Sequence, residues 1–386
     1  MLIRRRALLV LPVLVIAAGA SYLALHEYVR AAAFVVSAAG MQGVAASAAR
    51  FEQDPVVERD VSITWRGGAL PGRWYSSGPS SQLPILLVPG VHASGIEEPR
   101  LVGVARQLAA IGHPVLTTEL ADLKRYAITA RSTDMIEDAA LWLSSQRELA
   151  PAGRIGMLGI SFAGGLSIVA AGRASIRDRI AFVMSFGGHG DFPRTLRYLC
   201  SGEQPDGSIR PPHDYGVAII LLGVADRLVP AEQVEPLRAS ILAFLEASRL
   251  HLVDKAESDR QFERVRTASA ALPEPSRTLM LLVNDRNVAQ LGPKLLPHVS
   301  AMGGDPSLSP SRAAAPGADV YLLHGVDDNV IPAAESTLLA GTLRERGVHV
   351  RQLTTALITH AEVDRPPSLM EVQRLVAFWG ALLDES

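Results

Sequence analysis

A single cysteine, Cys200, in 386 residues excludes an intramolecular disulfide, and without a CxxC pair or a Cys/His cluster no structural zinc site can be read. Lysine is nearly as scarce: Lys124, Lys255 and Lys294 are the only three among 37 basic residues. That bias reads as genomic composition and carries no function. With 37 basic against 39 acidic residues the formal charge is −2, so no excess of one sign steers the chain to nucleic acid. No internal repeat or low-complexity linker breaks the chain. Its 20% charged and 48% hydrophobic residues are the balance of a folded protein rather than a disordered one. At about 150 residues per domain the length allows two or three units, or one large α/β domain with insertions.

What is present begins with a long apolar run. Arg4, Arg5 and Arg6 precede Ala7 to Leu25, an uncharged stretch of 19 residues, which as a helix approaches the roughly 30 Å of bilayer hydrocarbon. A transmembrane helix is expected here. The arginines before it place the N-terminus in the cytoplasm and the body of the chain outside it. Ala18-Gly19-Ala20 also fits a small-residue cleavage site, so a removed secretory signal is the alternative. A second uncharged run, Ala31 to Ala49, is mostly Ala, Gly and Ser with Gln42 near its middle. Its transfer free energy is poor, so a helix lying on the membrane or on the body is expected rather than a second span.

From Val56 short β-rich runs alternate with helical ones, the pattern of a sheet flanked by helices. Val61 to Trp65 and Gly72 to Tyr75 read as an entry hairpin around a Gly/Pro turn. Pro84 to Val88 is a continuous apolar run, as in a strand buried on both faces. The helix Leu101 to Ile111, the strand Pro114 to Thr118, the helix Thr133 to Gln146, the strand Arg154 to Ile160 and the small-residue helix Ala163 to Ala171 follow. Ala181 to Phe186 reads as a further strand.

At the end of the Arg154 strand stands Gly159-Ile160-Ser161-Phe162-Ala163-Gly164-Gly165. A serine on a sharp strand-to-helix turn needs small residues two positions away on each side, because strand and helix backbones come close there. Gly159 and Ala163 supply them. The plain alternative is a serine that only caps the helix. A nucleophilic serine also needs a base, an acid and oxyanion donors. Near the C-terminus the strand Ala318 to Gly325 runs into Asp327-Asp328-Asn329-Val330-Ile331-Pro332. The helix Ala333 to Arg346 and the strand Val348 to Leu353 come next, and then His360. The chain order is Ser, Asp, His, the order of one hydrolase class.

On these residues the chain, over roughly Val56 to Ser386, resembles the α/β-hydrolase superfamily, of the esterase and dienelactone-hydrolase-like kind. The elbow at Ser161, the run His324-Gly325 through Asp328 to Ile331-Pro332 and the late His360 match its pattern. Ala163 replaces the commoner glycine, and the loop after the third strand reads Pro89-Gly90-Val91-His92 where the family usually has His-Gly. The resemblance implies an α/β fold with a mostly parallel central sheet flanked by helices. It implies a Ser161, His360 and Asp328 triad acting through an acyl-enzyme, with backbone N–H groups of Phe162 and Val91 as the oxyanion hole. The partner is a small acyl substrate, and no metal or organic cofactor is implied. A non-catalytic membrane-associated binding protein and an acyltransferase on the same fold are the competing classes.

Several residues rival these. Asp226, in Gly223 to Pro230, copies the acid signature and follows the apolar run Val217 to Leu222; if that run is the penultimate strand, Asp226 becomes the acid. Asp327 differs from Asp328 by one step of loop register, and facing solvent or a cap is its expected place. His189 and His92 are placed to line the pocket, and His324 reads as structural. Between Gly187 and Pro316 lie about 130 residues, too many for a loop. Tyr215 to Leu228 and Val234 to Leu250 show helical spacing, so a mostly helical cap after the sixth strand is expected. An apolar underside to it would exclude water and shape the pocket. The expected division is 1–25 anchor or signal, 26–55 helical connector, 56–186 first part of the core, 187–317 cap and 318–386 second part of the core.

Overall fold

The computed structural model describes residues 26–38, 44–251, 253–358 and 368–385. Eight strands make one sheet in the order β1-β2-β4-β3-β5-β6-β7-β8. They are β1 Val57–Trp65, β2 Gly68–Ser76, β3 Ile85–Val88, β4 Val115–Thr118, β5 Ile155–Ile160, β6 Ile180–Phe186, β7 Asp319–Gly325 and β8 Val350–Thr355. β2 runs antiparallel to β1 and β4, and the remaining neighbours are parallel.

Sequence and burial explain the order. All four residues of β3 are buried. Leu86 and Val88 enter one apolar core while Ile85 and Leu87 enter the other, so this strand needs apolar side chains on both faces. The outermost strand β1 keeps mostly exposed or half-buried positions until Ile63 and Trp65. The expected Gly/Pro turn of the hairpin is shorter than its sequence suggests. Trp65 pairs with Gly68, and Pro71 lies inside β2, where only β1 is beside it because pairing with β4 begins at Gly72. A proline without an N–H is tolerated at such a place. Arg66, at the hairpin tip, ties the hairpin to the helix behind it through Asp138 Oδ2 at 2.8 Å and Glu137 Oε2 at 2.5 Å.

The helices are α1 (residues 26–38), α2 Val44–Phe51, α3 Pro99–Ala110, α4 Ala121–Lys124, α5 Ala130–Ser145 and α6 Phe162–Ala171. α3 starts where Glu98 accepts the Leu101 N–H at 2.8 Å and Pro99 opens the first turn, a start that spares the proline's missing donor. Between β6 and β7 the chain makes α7 Phe192–Ser201, α8 Tyr215–Leu228, α9 Ala231–Leu250, α10 Lys255–Ala270, α11 Ser276–Asn284, α12 Val288–Leu295 and α13 Val299–Gly303. It then returns through β7, α14 Ala333–Glu345, β8 and α15 Leu369–Leu383. β8 starts two residues later than its apolar pattern suggests, because the Val348 N–H donates to Leu343 O at 3.0 Å and closes α14.

Among the described residues no helix is long and apolar enough to cross a membrane. The run Ala7 to Leu25, where a transmembrane helix is expected, lies outside them. In the second run, α1 buries Ala31, Ala33, Phe34 and Val35 in the core shared with α3 and α15. Phe34 packs on Trp379 with ring centroids 4.5 Å apart, and this part of the run therefore lies on the body.

Candidate active site

Parallel pairing brings the ends of the central strands to one edge. Ile160 pairs with Phe186, Phe186 with Leu323, and Gly325 with Thr355. Whatever follows these residues therefore starts on the same side of the sheet. Ser161 follows Ile160 at once, with φ 56° and ψ −134°, a backbone region that non-glycine residues occupy only when their surroundings hold them there. Its N–H donates to Phe186 O and its carbonyl accepts from the Gly164 N–H, both at 2.8 Å.

The small residues around it are required by space. A Cβ on Gly159 would lie 2.4 Å from Ala163 O, and one on Gly90 would lie 3.4 Å from Ser161 Cβ. The loop after β3 thus abuts the serine. Among the described residues the N–H groups of Phe162 and Val91, on either side of that contact, have no hydrogen-bond acceptor. Unpaired N–H groups beside a serine are what a developing oxyanion needs.

Asp328 sits three residues beyond the end of β7 and is 1% exposed. Its Oδ1 accepts from the Val330 N–H at 2.8 Å and the Ile331 N–H at 2.9 Å, while its Oδ2 lies 3.3 Å from His324 Nε2. Two backbone donors fix the carboxylate in its loop. Gly187, at φ 63°, passes close enough that a Cβ there would be 3.6 Å from Oδ2. His360 lies outside the described residues. The chain is described as far as Ile358, in the loop after β8. That loop leaves the sheet beside the Asp328 loop, since the Val326 N–H donates to Thr355 O at 2.9 Å.

Ser161 opens on a cavity of about 480 Å³. Gly90, Val91, His92 and Phe162 form one side, and Tyr215, Leu245, Ser248, Arg249, His251 and Arg286 come from the insertion between β6 and β7. The expected apolar underside is not what the insertion presents. Leu245 is accompanied by hydroxyl, imidazole and guanidinium groups.

No family model and no curated protein matches this chain. Among solved structures it is similar to an esterase from Pyrobaculum calidifontis, at 18% identity over 94% of this chain and 92% of that one, with a TM-score of 0.49. It is also similar to a thermostable carboxylesterase cloned from a metagenomic library, at 17% identity over 87% and 93% with a TM-score of 0.48. An acylaminoacyl peptidase of Pyrococcus horikoshii gives 13% identity over 85% of this chain and 41% of that one, with a TM-score of 0.47. Likeness at this level says nothing of a reaction. The strand order, the antiparallel second strand and the elbow at Ser161 are the chain's own, and they decide the matter. This is the α/β-hydrolase fold.

Within the hydrolase fold the rival residues find other places. Asp226 lies on α8 and not after a strand; it is exposed, 3.8 Å from Arg238. Its apolar run buries into the packing of α7, α8 and α9 rather than extending the sheet, so the local acid signature has no strand end to stand on. Asp327 lies 3.5 Å from Arg210 of the insertion. His324 has both ring nitrogens engaged, Nδ1 with Ser336 Oγ at 2.6 Å and Nε2 with Ile331 O at 2.8 Å, and is structural. His189 is fully buried between Phe162 and Phe192, with Nε2 2.7 Å from Leu308 O, and burial lowers its pKa. His92 does line the cavity, and burial lowers its pKa as well. Cys200 is buried, and burial pushes its thiol up to about 12, far from the range of a reactive thiolate.

Two tyrosines near the acid carry no sequence signal. Tyr198 is 1% exposed, and burial, aided by the negative charge of Asp328, pushes its phenol up to about 12. Tyr215, on the cavity wall, is raised by the same two causes in the same order. Both come from the insertion, more than a hundred residues before Asp328, and no local pattern links them.

Proposed function

We propose that this chain is a serine hydrolase that cleaves carboxylic esters or related acyl compounds. The observation that carries the reading is the backbone of Ser161, held at φ 56° on a strand-to-helix turn that opens on the cavity. Holding a non-glycine residue there costs of order 1–3 kcal/mol, and a helix cap alone does not require it. Ser161 Oγ attacks the acyl carbonyl, and His360 takes the hydroxyl proton and returns it to the leaving alcohol. Asp328 holds the imidazole in the right tautomer and stabilises its cation. The Phe162 and Val91 N–H groups bind the oxyanion. Water, with its proton taken by His360 and passed on to the departing Ser161 Oγ, then releases the acid from the acyl-enzyme. Each of these steps uses only the chain and water, with no cofactor.

The run Ala7 to Leu25 supports a tether in the membrane with the body outside the cytoplasm, a removed signal being the alternative. Protease added to intact cells would degrade the body in that arrangement and spare it if the body faced the cytoplasm. For the reaction itself the test is a fluorophosphonate probe. The chain is expected to be labelled at Ser161 and to lose labelling on Ser161→Ala. A folded protein that takes no label and turns over no ester overturns the reading.

A further inference from the structure

The cavity wall carries more cationic than anionic side chains. Arg100, Arg249 and Arg286 stand on it, and Glu98 is the only carboxylate among the described residues that line it. Glu98 is occupied, with Oε2 accepting the Leu101 N–H at 2.8 Å and Oε1 the Arg100 Nε at 2.7 Å. The acids that pair with the other two arginines, Glu246 and Asp214, are not part of the wall.

Those pairings hold the guanidinium groups without using them up. Arg249, in the last turn of α9, gives Nε to Glu246 Oε2 at 2.8 Å and Nη2 to Glu246 Oε1 at 2.5 Å, and its Nη1 has no partner among the described residues. Arg286 gives Nη1 to Asp214 Oδ2 at 2.5 Å. Its guanidinium lies over the rings of Phe262 and Phe244, at 5.2 and 5.9 Å from their centroids. Nε and Nη2 remain without a partner among the described residues. Its backbone is also at φ 55°, so that with Ser161 and Tyr126 it is one of three non-glycine residues on this cavity at positive φ, where strain tends to accompany function. An arginine fixed by one carboxylate and by aromatic faces presents its remaining donors with little entropy left to lose. An uncharged hydrocarbon tail in the cavity would displace water from those donors without supplying acceptors, which is costly.

Resting on the hydrolase reading, we propose that the substrate is an ester that carries a carboxylate away from its scissile carbonyl, and that Arg249 and Arg286 are the residues that select it. The carboxylate accepts the guanidinium N–H groups that Glu246 and Asp214 leave available, and the neutral end of the molecule reaches Ser161.

The experiment compares two esters that differ only in that charge, mono-4-nitrophenyl glutarate and 4-nitrophenyl valerate. The expected kcat/KM ratio favours the glutarate by tenfold or more. Arg249→Gln and Arg286→Gln each lower that ratio at least tenfold through KM, and Arg249→Lys recovers part of it. A ratio near one in the native protein, or one that neither glutamine variant changes, overturns the proposal. Binding of monomethyl glutarate to the Ser161→Ala protein gives a readout independent of turnover. It is expected to weaken at least tenfold on Arg249→Gln, and no binding counts against the proposal. Turnover of the neutral ester and labelling of Ser161 without charge selectivity would defeat the substrate assignment alone. Absence of labelling and of all turnover would defeat the hydrolase reading, and with it the assignment of an ester.

Discussion

Asp328 and Asp226 carry nearly the same local sequence, and their surroundings separate them. Asp328 is buried with two backbone donors on one oxygen, whereas Asp226 is exposed on a helix beside Arg238. Asp328→Asn is therefore expected to lower ester kcat by roughly 10⁴-fold, as loss of the orienting carboxylate does in a well-studied triad. Asp226→Asn is expected to leave kcat within about twofold, because exposed pairs of this kind contribute little. Steady-state kinetics on the two variants decides, and the reverse outcome reassigns the acid. The apolar run before Asp226 was ambiguous in sequence for a physical reason: a fully buried helix and a fully buried strand both lack polar positions, so neither period stands out. Ser161 and Asp328 were legible because their requirements are local, small neighbours for one and a strand end for the other. Tyr198, Tyr215, Arg249 and Arg286 were not, since they reach the cavity from an insertion whose path no local pattern records.

Among elements, the turn between β5 and α6 tolerates the least change. A Cβ on Gly159 meets the backbone oxygen of Ala163 at 2.4 Å and Ser167 Oγ at 2.6 Å, so Gly159→Ala must shift the turn. A displacement of about 1 Å at a nucleophile costs on the order of 10²-fold. The variant is expected to lose that much kcat/KM with a smaller change in Tm, and unchanged kinetics would mean that the elbow geometry is not needed. The junction of α7 with α14 rests on charge. Glu335, 1% exposed, accepts the Gly190 and Asp191 N–H groups at 3.0 and 2.9 Å and Arg194 Nε at 2.5 Å. Glu335→Ala leaves Arg194 and two backbone donors unpaired, and a loss of about 3 kcal/mol is expected, read as a lower denaturant midpoint at unchanged slope. Positions 194 and 335 are 141 residues apart; a sequence read in windows cannot pair them. The strand cores were readable because β3 and β5 are apolar throughout, while the ends of β2 and β8 were set by pairing and by the closing of α14.

For the molecule as a whole, buried imidazoles set the response to acid. His113 and His189 are both fully buried. Burial is the largest cause that lowers each below the ordinary 6.5, with Glu27 opposing it at His113 and the Leu308 carbonyl at His189. Arg30 and His26 also face His113 and add to the lowering. A base with a depressed pKa in the folded state binds its proton first when unfolded. Its contribution is thus intact above about 6.5 and is lost as pH falls from there towards the folded pKa. Tm is expected to fall between about pH 7.5 and about pH 5.5, and His113→Phe to flatten that slope; a Tm that does not move would contradict it. The same helix α1 that brings Glu27 to within 3.4 Å of His113 joins the body to the run Ala7 to Leu25, so acid is expected to weaken the docking of the segment next to the proposed tether.

The convergence of Ser161, His360 and Asp328 is tested most directly by a crystal structure of the fluorophosphonate adduct. Phosphorus is expected on Ser161 Oγ, with one phosphonyl oxygen about 3 Å from the Phe162 and Val91 nitrogens and His360 between the adduct and Asp328, within about 2.6–3.2 Å of each. A modified protein in which His360 stands away from Ser161, or in which the probe sits on another residue, contradicts the proposed chemistry.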